Sequence, residues 1–229
     1  MPILVIGLGV LLVLTTGALL VGPRLRAADR QVDSGPSTSP PTSLPTAASG
    51  HGDPTGSVDE ATRRVTVNGA TMVLPGDPFK ITPDPVTIED VFDVCFLGEA
   101  VVHQRGPSTP GWAVMVGLAH LDPVLERTLD ASGPAALKTI THEFFGSHPT
   151  RLTDVVTSTT TVDGRTALQV TAAVHYQVKG LASTHDMVTA IVVELPRGGT
   201  VVAMTSIPDD TPVELRRMAE KSLHTLTIG

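Results

Sequence analysis

The chain has 229 residues, a formal net charge of −7 and one cysteine, Cys95. A single cysteine excludes an intrachain disulfide, and the lack of clustered Lys and Arg argues against a nucleic-acid partner. We predict that Cys95 is a small buried residue in the stretch DVCFLGEAVV. The alternative is a reactive thiol, which would need a nearby base.

An apolar stretch of 21 residues without a charge runs from Pro2 to Gly22. As a helix with a rise of about 1.5 Å per residue it would extend about 31 Å, close to the thickness of the bilayer hydrocarbon core. It is long for the apolar part of a signal peptide, and no basic residue precedes it. We predict a transmembrane anchor or uncleaved signal in residues 1–23. A cleaved signal, with Thr16-Gly17-Ala18 as the cleavage candidate, is the alternative.

The next segment, residues 24–62, has the composition of a disordered linker. Of the 25 residues from Asp33 to Ser57, 19 are Ser, Thr, Pro or Gly, which leaves too little apolar surface to fold. Such stalks hold domains away from a surface and favour an extracytoplasmic location. Arg24, Arg26 and Arg30 favour the opposite orientation, because positive residues beside a span tend to stay inside. We expect a single-pass cell-membrane protein whose domain lies outside the cytoplasm.

Residues 63–229 are predicted to form one globular domain rich in strands. Two short strands flank Asn68-Gly69, a strong hairpin signal, and Trp112–Ala119 is apolar on both alternations, as a central strand is. Four further strands are predicted to form an antiparallel meander: Asp154–Val162, Arg165–Val178, Met187–Leu195 and Thr200–Ile207.

Two helical regions accompany these strands. The first begins at Asp122-Pro123, is interrupted at Gly133-Pro134 and continues from about Ala135 to Phe145. The second follows Thr211, which Glu214 completes as a capping box. The order of elements predicts an α+β fold, with an antiparallel sheet and helices packed against it.

Asp84–Glu99 is acidic and has no basic residue. We predict a solvated face here. A calcium or partner site is the alternative, but the stretch lacks the D-x-D-x-D-G spacing of a compact calcium loop.

The string most similar to a catalytic motif is Thr141–His148. A zinc protease needs two histidines four apart on one helical face, with Glu beside the first. Here His148 follows His142 and Glu143 by six and five positions and lies beyond Gly146. We predict an exposed helical histidine at His142 and assign no catalytic, cofactor or metal residues.

The other histidines are scattered along the sequence. His175 falls on the polar face of its strand, and it can approach His185 if the chain folds back at Gly180. A pair of histidines does not by itself establish a metal site.

Four stretches together resemble the PsbP-like fold. They are the opening VTVNGATMVLPGDPF, the hairpin VDGRTALQVTAAVHYQV, the pair IVVELPRGGTVVAMTSI and the closing helix TPVELRRMAEKSLHTL. This fold is shared by the photosystem extrinsic subunit P and by actinobacterial cell-envelope proteins, among them Lpq-type lipoproteins and alanine/proline-rich fibronectin-binding glycoproteins. The resemblance covers Arg63 to Gly229 and implies a non-catalytic envelope, scaffold or binding role. The chain differs from the lipoproteins because no cysteine that could be lipidated directly follows the apolar stretch.

Three hypotheses of function follow. The first is a membrane-tethered, non-catalytic accessory or binding domain with an unknown envelope or cell-wall partner and no cofactor. The second is a carrier of a small apolar ligand or lipid, held between the sheet and either the His142 helix or the Leu215 helix. The third is a metal-dependent hydrolase resting on His142, Glu143 and His148.

Overall fold

The computed structural model describes residues 55–88, 91–104, 111–122, 128–146 and 148–229, which together hold twelve strands and two helices. A smaller antiparallel sheet has the strand order β1-β2-β3-β12. Its strands are Gly56–Asp59 (β1), Arg64–Val67 (β2), Ala70–Val73 (β3) and Thr227–Ile228 (β12). The last described strand therefore pairs with the opening hairpin.

The larger sheet is also antiparallel, with the order β4-β6-β7-β11-β10-β9-β8 and with β5 paired to β6. Its strands are Lys80–Ile81 (β4), Val86–Ile88 (β5), Phe92–His103 (β6), Trp112–Leu121 (β7), Thr150–Val162 (β8), Arg165–Tyr176 (β9), His185–Glu194 (β10) and Thr200–Pro208 (β11). The helices are Leu129–Phe145 (α1) and Val213–Leu223 (α2). The predicted α+β class, with helices packed on an antiparallel sheet, is confirmed for the described residues.

The predicted hairpins form where the sequence places them. Asn68 and Gly69 have φ values of 47° and 93°, and Asp163 and Gly164 have φ values of 49° and 75°. Two positive φ angles in a row match the turn that suits the twist of a two-residue hairpin. The meander of β8, β9, β10 and β11 is likewise in the predicted order.

Other elements pack against both faces of the larger sheet. One face packs against α2 and the smaller sheet, through side chains such as Phe96, Ala219 and Leu223. The other face packs against α1, through side chains such as Leu137 and Ile140. Burial on both faces explains why the central strands lack a clean polar alternation.

Helix α1 differs from its prediction. It begins at Leu129 and runs without interruption through Gly133 and Pro134. A Cβ atom at Gly133 would lie 2.5 Å from Leu168 Cδ2, so the helix lies directly against β9 at this point. This close packing on the sheet outweighs the helix-breaking tendency of a Gly-Pro pair.

The start of α2 also differs from its prediction. The residue at the N-cap is Pro212, and no side chain caps the helix. Thr211 Oγ1 is buried without a hydrogen-bond partner. The predicted capping box is therefore wrong, because Thr211 stands one position too early for its hydroxyl to cap this helix.

The described residues include part of the predicted linker, which ends at residue 62. Strand β1 lies inside the range 24–62 and pairs along its length with β2, and Val58 packs on the core. The predicted anchor, the three arginines behind it and the stalk up to residue 54 lie outside the described residues. Within the described ranges, neither helix has the length and apolar character needed to span a membrane.

Candidate functional site

A groove of about 450 Å³ lies between α2 and the part of the sheet that α2 leaves uncovered. Its floor is formed by β9, β10 and β11, and its wall includes Arg216, Glu220 and Leu223. We call this the α2 groove.

Strand register arranges the floor of the α2 groove in rows. Thr171, Thr189 and Thr205 are direct neighbours across three strands, so three threonines form one row. The next row places Met187 opposite Ile207. The α2 groove thus alternates hydroxyl and apolar strips, and it is suited to a ligand that has an apolar skeleton and hydrogen-bonding groups.

Arg216 closes one end of the α2 groove. Its guanidinium Nη2 donates to the backbone oxygens of Pro208 at 3.4 Å and Asp209 at 3.2 Å, where β11 ends. These bonds fix the side chain at the point where the strand turns into α2, so it forms a rigid rim.

A buried carboxylate, Asp186, is the centre of a hydrogen-bonded cluster at the same end of the sheet. It is 1% exposed and accepts from Trp112 Nε1 at 3.1 Å, Tyr176 Oη at 2.6 Å and Ser206 Oγ at 2.7 Å. Burial raises the pKa of Asp186, although the three donors oppose that rise. Burial and the adjacent Asp186 also raise the pKa of Tyr176. We call this group the Asp186 cluster.

Aromatic packing joins the Asp186 cluster to α1. The rings of Trp112 and Tyr176 lie 4.6 Å apart between centroids, and Phe145 stacks on Tyr176 at 5.9 Å. The only tryptophan and the only tyrosine of the chain therefore meet at one carboxylate. Their arrangement locks the end of α1 onto the sheet and indicates a structural role.

The loop between β9 and β10 is held by two aspartates after β11. Thr184 donates to Asp209 through its backbone nitrogen at 3.0 Å and its hydroxyl at 2.7 Å. Ser183 donates its hydroxyl to Asp210. Burial opposes ionisation of both carboxyls, but these bonds, together with His185 beside Asp209 and His103 beside Asp210, hold their pKa values below the usual range.

Ser183, His103 and Asp210 have the residue types of a hydrolytic triad but not its geometry. His103 Nε2 contacts both Ser183 Oγ at 2.9 Å and Asp210 at 2.9 Å. In a triad the two partners occupy different ring nitrogens, and the serine proton goes to the histidine. Here the serine donates to the carboxylate instead, so His103 is not placed to activate it.

The candidate hydrolase residues do not converge on one ion. His142 is exposed on α1, as predicted, and His148 lies beyond the helix, 6.0 Å from Trp112 between ring centroids. Among the described residues, no group of three or more His, Cys, Asp or Glu side chains is placed to hold a metal ion.

His175 and His185 do meet, as the fold-back at Gly180 predicted. They are opposite each other on β9 and β10, with ring centroids 5.0 Å apart. This pair lies at one end of the groove face of the sheet, since Met187, two residues after His185, lines the α2 groove.

Cys95 is fully buried in β6, as predicted. Burial, with a further contribution from the charge of Glu99, raises the pKa of its thiol. The prediction of a solvated face for Asp84–Glu99 is wrong for its second half. Residues 92–99 belong to β6, and there Asp93 contacts buried His120 at 3.4 Å.

A solved structure is similar to this chain at low sequence identity. Neither a protein-family model nor a curated protein matches the chain. Among solved structures it is similar to the solution structure of cyanobacterial PsbP (CyanoP) from Synechocystis sp. PCC 6803, with 15% identity and a TM-score of 0.43. The match covers 79% of this chain and 96% of that chain. The likeness indicates nothing about ligand, partner or location.

Proposed function

We propose that the chain is a membrane-tethered, non-catalytic binding domain of the cell envelope that lies outside the cytoplasm and holds its partner in the α2 groove. The uncharged stretch Pro2–Gly22 and the Ser/Thr/Pro-rich stalk behind it support the tether and the location. The observation that carries the binding role is the α2 groove, whose volume of about 450 Å³ falls in the range of ligand sites.

The polar groups around the α2 groove support binding over covalent chemistry. The threonine row offers hydroxyls that both donate and accept, and the hydroxyls of Thr171 and Thr189 lie 3.4 Å apart and are hydrogen-bonded to each other. The Ser183 hydroxyl already donates its proton to Asp210. The resemblance to non-catalytic envelope proteins agrees with this role.

Filling the α2 groove is expected to abolish partner capture. Thr189→Trp places an indole on the middle of the floor, between Thr171 and Thr205. Crosslinking on intact cells should recover a partner with the unaltered chain, and the yield should fall with the variant, because a loss of about 1.4 kcal/mol or more in binding free energy lowers the affinity by about tenfold or more. The matched control is Thr159→Trp, which adds the same ring to an exposed position on β8. Equal capture by the two variants would contradict the assignment of the α2 groove.

A carrier of a small apolar ligand or lipid is the second candidate. Four apolar side chains that line the α2 groove favour it: Met187, Ile191, Ile207 and Leu223. Native mass spectrometry of the purified chain should then show a bound small molecule that is missing from the Thr189→Trp variant. A ligand-free chain that still captures a protein on cells would favour the binding domain.

A reporter fused after Gly229 is expected to be active only outside the cytoplasm. The physical reason is that the stalk and domain follow one predicted span, so the carboxyl terminus shares the side of the domain. Paired fusions to a reporter that works only after export and to one that works only in the cytoplasm measure this directly. Activity of the cytoplasmic fusion alone would disprove the location and leave the α2 groove assignment standing.

A further inference from the structure

Four polar residues form a row across the larger sheet, where β8 and β10 begin and β9 ends. Arg151 on β8 is opposite His175 on β9, and His175 is opposite His185 on β10. Asp209 follows β11, and its backbone nitrogen donates to the His185 oxygen at 2.9 Å. The row therefore brings two imidazoles between a cation and an anion.

The hydrogen bonds of His185 fix which ring nitrogen carries the proton. Its Nδ1 lies 3.2 Å from Asp209 Oδ2 and 3.2 Å from Thr184 Oγ1. The Thr184 hydroxyl donates its one proton to the same carboxylate at 2.7 Å, so it has none to give to the ring. Because both neighbours accept, Nδ1 is the donor, and Nε2 of the neutral ring keeps a free lone pair.

The same argument applies to His175 through a different partner. Its Nε2 lies 2.8 Å from Thr153 Oγ1, and the Thr153 hydroxyl donates to Asp154 Oδ2 at 3.0 Å. The hydroxyl oxygen must therefore accept from Nε2–H, which leaves Nδ1 of His175 with the lone pair. Each ring thus has one nitrogen oriented by a carboxylate, directly or through a hydroxyl, and one bare nitrogen.

We propose that His175 and His185 form a two-histidine site for a first-row transition-metal ion such as Zn²⁺ or Cu²⁺. Imidazole nitrogen suits these ions, and two rings that bind one tetrahedral ion at about 2.0–2.1 Å have centroids roughly 5 Å apart. The observed separation of 5.0 Å meets that requirement. Asp209 and Thr153 are the outer partners that orient the rings, as partners of metal-bound histidines do.

Solvent has access to the proposed ion. A cleft of about 550 Å³ adjoins His175 and is lined by His175, Thr184 and Arg151, among others, and the side chain of His185 is 28% exposed. Water from this cleft completes the coordination. The guanidinium of exposed Arg151 opposes a cation, so the site is expected to be exchangeable and not a permanent structural centre.

Titration of the full chain with Zn²⁺ in a calorimeter tests the site. His175→Asn and His185→Asn are each expected to weaken binding by about tenfold or more, at least the effect of losing an outer partner of a metal ligand. His142→Asn, which removes an exposed histidine on α1, is the matched control and should bind as the unaltered chain does. Thermal unfolding without metal establishes that the variants fold.

A spectroscopic measurement separates this site from other histidines. With one equivalent of Cu²⁺, the electron paramagnetic resonance spectrum should show coupling to two imidazole nitrogens, and either substitution should remove one of them. Asp209→Asn should weaken Zn²⁺ binding by about tenfold while both nitrogens remain. Zn²⁺ binding unchanged in the His175→Asn/His185→Asn double variant would overturn the proposal, as would a dissociation constant for the unaltered chain weaker than about 1 mM.

Discussion

Asp186→Ala is expected to lower the free energy of unfolding by about 3–5 kcal/mol, since it leaves several buried donors without an acceptor. The carboxylate is 1% exposed, and the Trp112, Tyr176 and Ser206 donors all end on it. Each unpaired buried donor costs about 1–3 kcal/mol, and relaxation of the two aromatic rings keeps the total below the simple sum. Urea denaturation followed by Trp112 fluorescence measures the loss.

Ser206→Ala is the control for that measurement. It removes one donor and leaves the carboxylate with Trp112 and Tyr176, so it should cost about 1 kcal/mol. If Asp186→Ala costs no more than Ser206→Ala, the carboxylate does not organise the Asp186 cluster and the cluster is held by ring packing alone.

The pH dependence of the free energy of unfolding, compared between the unaltered chain and Asp186→Asn, provides a second test. Burial raises the pKa of Asp186 in the folded chain, so the folded state binds this proton more tightly than the unfolded state does. The resulting stabilisation is fully present below the ordinary aspartate pKa and is lost as pH rises through the folded pKa. The stability of the unaltered chain relative to Asp186→Asn should therefore fall from about pH 4 towards neutral pH. A difference that grows with pH would contradict this sign.

The parts of the fold that follow from local sequence were predictable. Asn68-Gly69 and Asp163-Gly164 adopt the positive φ angles of tight hairpins, so their strands pair in the expected register. The approach of His175 to His185 follows from the same reasoning, because a fold-back at Gly180 brings the two strands together. Short-range rules suffice where the partners lie within one hairpin.

The members of the Asp186 cluster lie on four strands, because Asp186 on β10 has partners on β7, β9 and β11. Trp112 is 74 positions from Asp186, and Ser206 is 20. The sequence did contain one indication: Asp186 has the same side-chain parity as the buried residues Val188, Ala190 and Val192 of its strand. A carboxylate at an inward position of an alternating strand needs buried donors, but no local pattern names them.

Local sequence rules also do not predict that α1 is continuous through Gly133 and Pro134. A Gly-Pro pair predicts an interruption, whereas Gly133 permits the close approach of the helix to Leu168 and Val170. Tertiary packing supplies the stability that the helix lacks by propensity.

The sequence pattern does not predict strand β6, because acidic residues stand on either side of its apolar stretch. Asp93 and Glu99 lie near its start and middle, and the residues between them, Val94 to Gly98, are buried on both faces. A strand of this kind shows no alternation of polar and apolar residues, so periodicity does not reveal it. Its position between β4 and β7 nevertheless makes it part of the core of the larger sheet.

Phe96→Ala is accordingly expected to lower the free energy of unfolding by about 3–5 kcal/mol, the usual cost of deleting a buried phenyl ring. Phe96 is fully buried at the junction of the two sheets. A Cβ atom at Gly56 would lie 2.6 Å from its ring, which shows that β1 packs directly on Phe96. The cavity should therefore loosen β1 first, and amide hydrogen exchange should accelerate in Gly56–Asp59 more than in β9.

Val101→Ala on the same strand is the matched control for Phe96→Ala. Val101 is 50% exposed, so its loss should change stability by about 0.5 kcal/mol or less. A cost for Phe96→Ala below about 1 kcal/mol would mean that the junction collapses around the missing ring and that β6 does not connect the two sheets. A full cost with unchanged exchange in β1 would place the role of Phe96 in the larger sheet alone. The expected pair of results instead makes Phe96 the contact through which the sheet that begins at the end of the stalk is held to the rest of the domain.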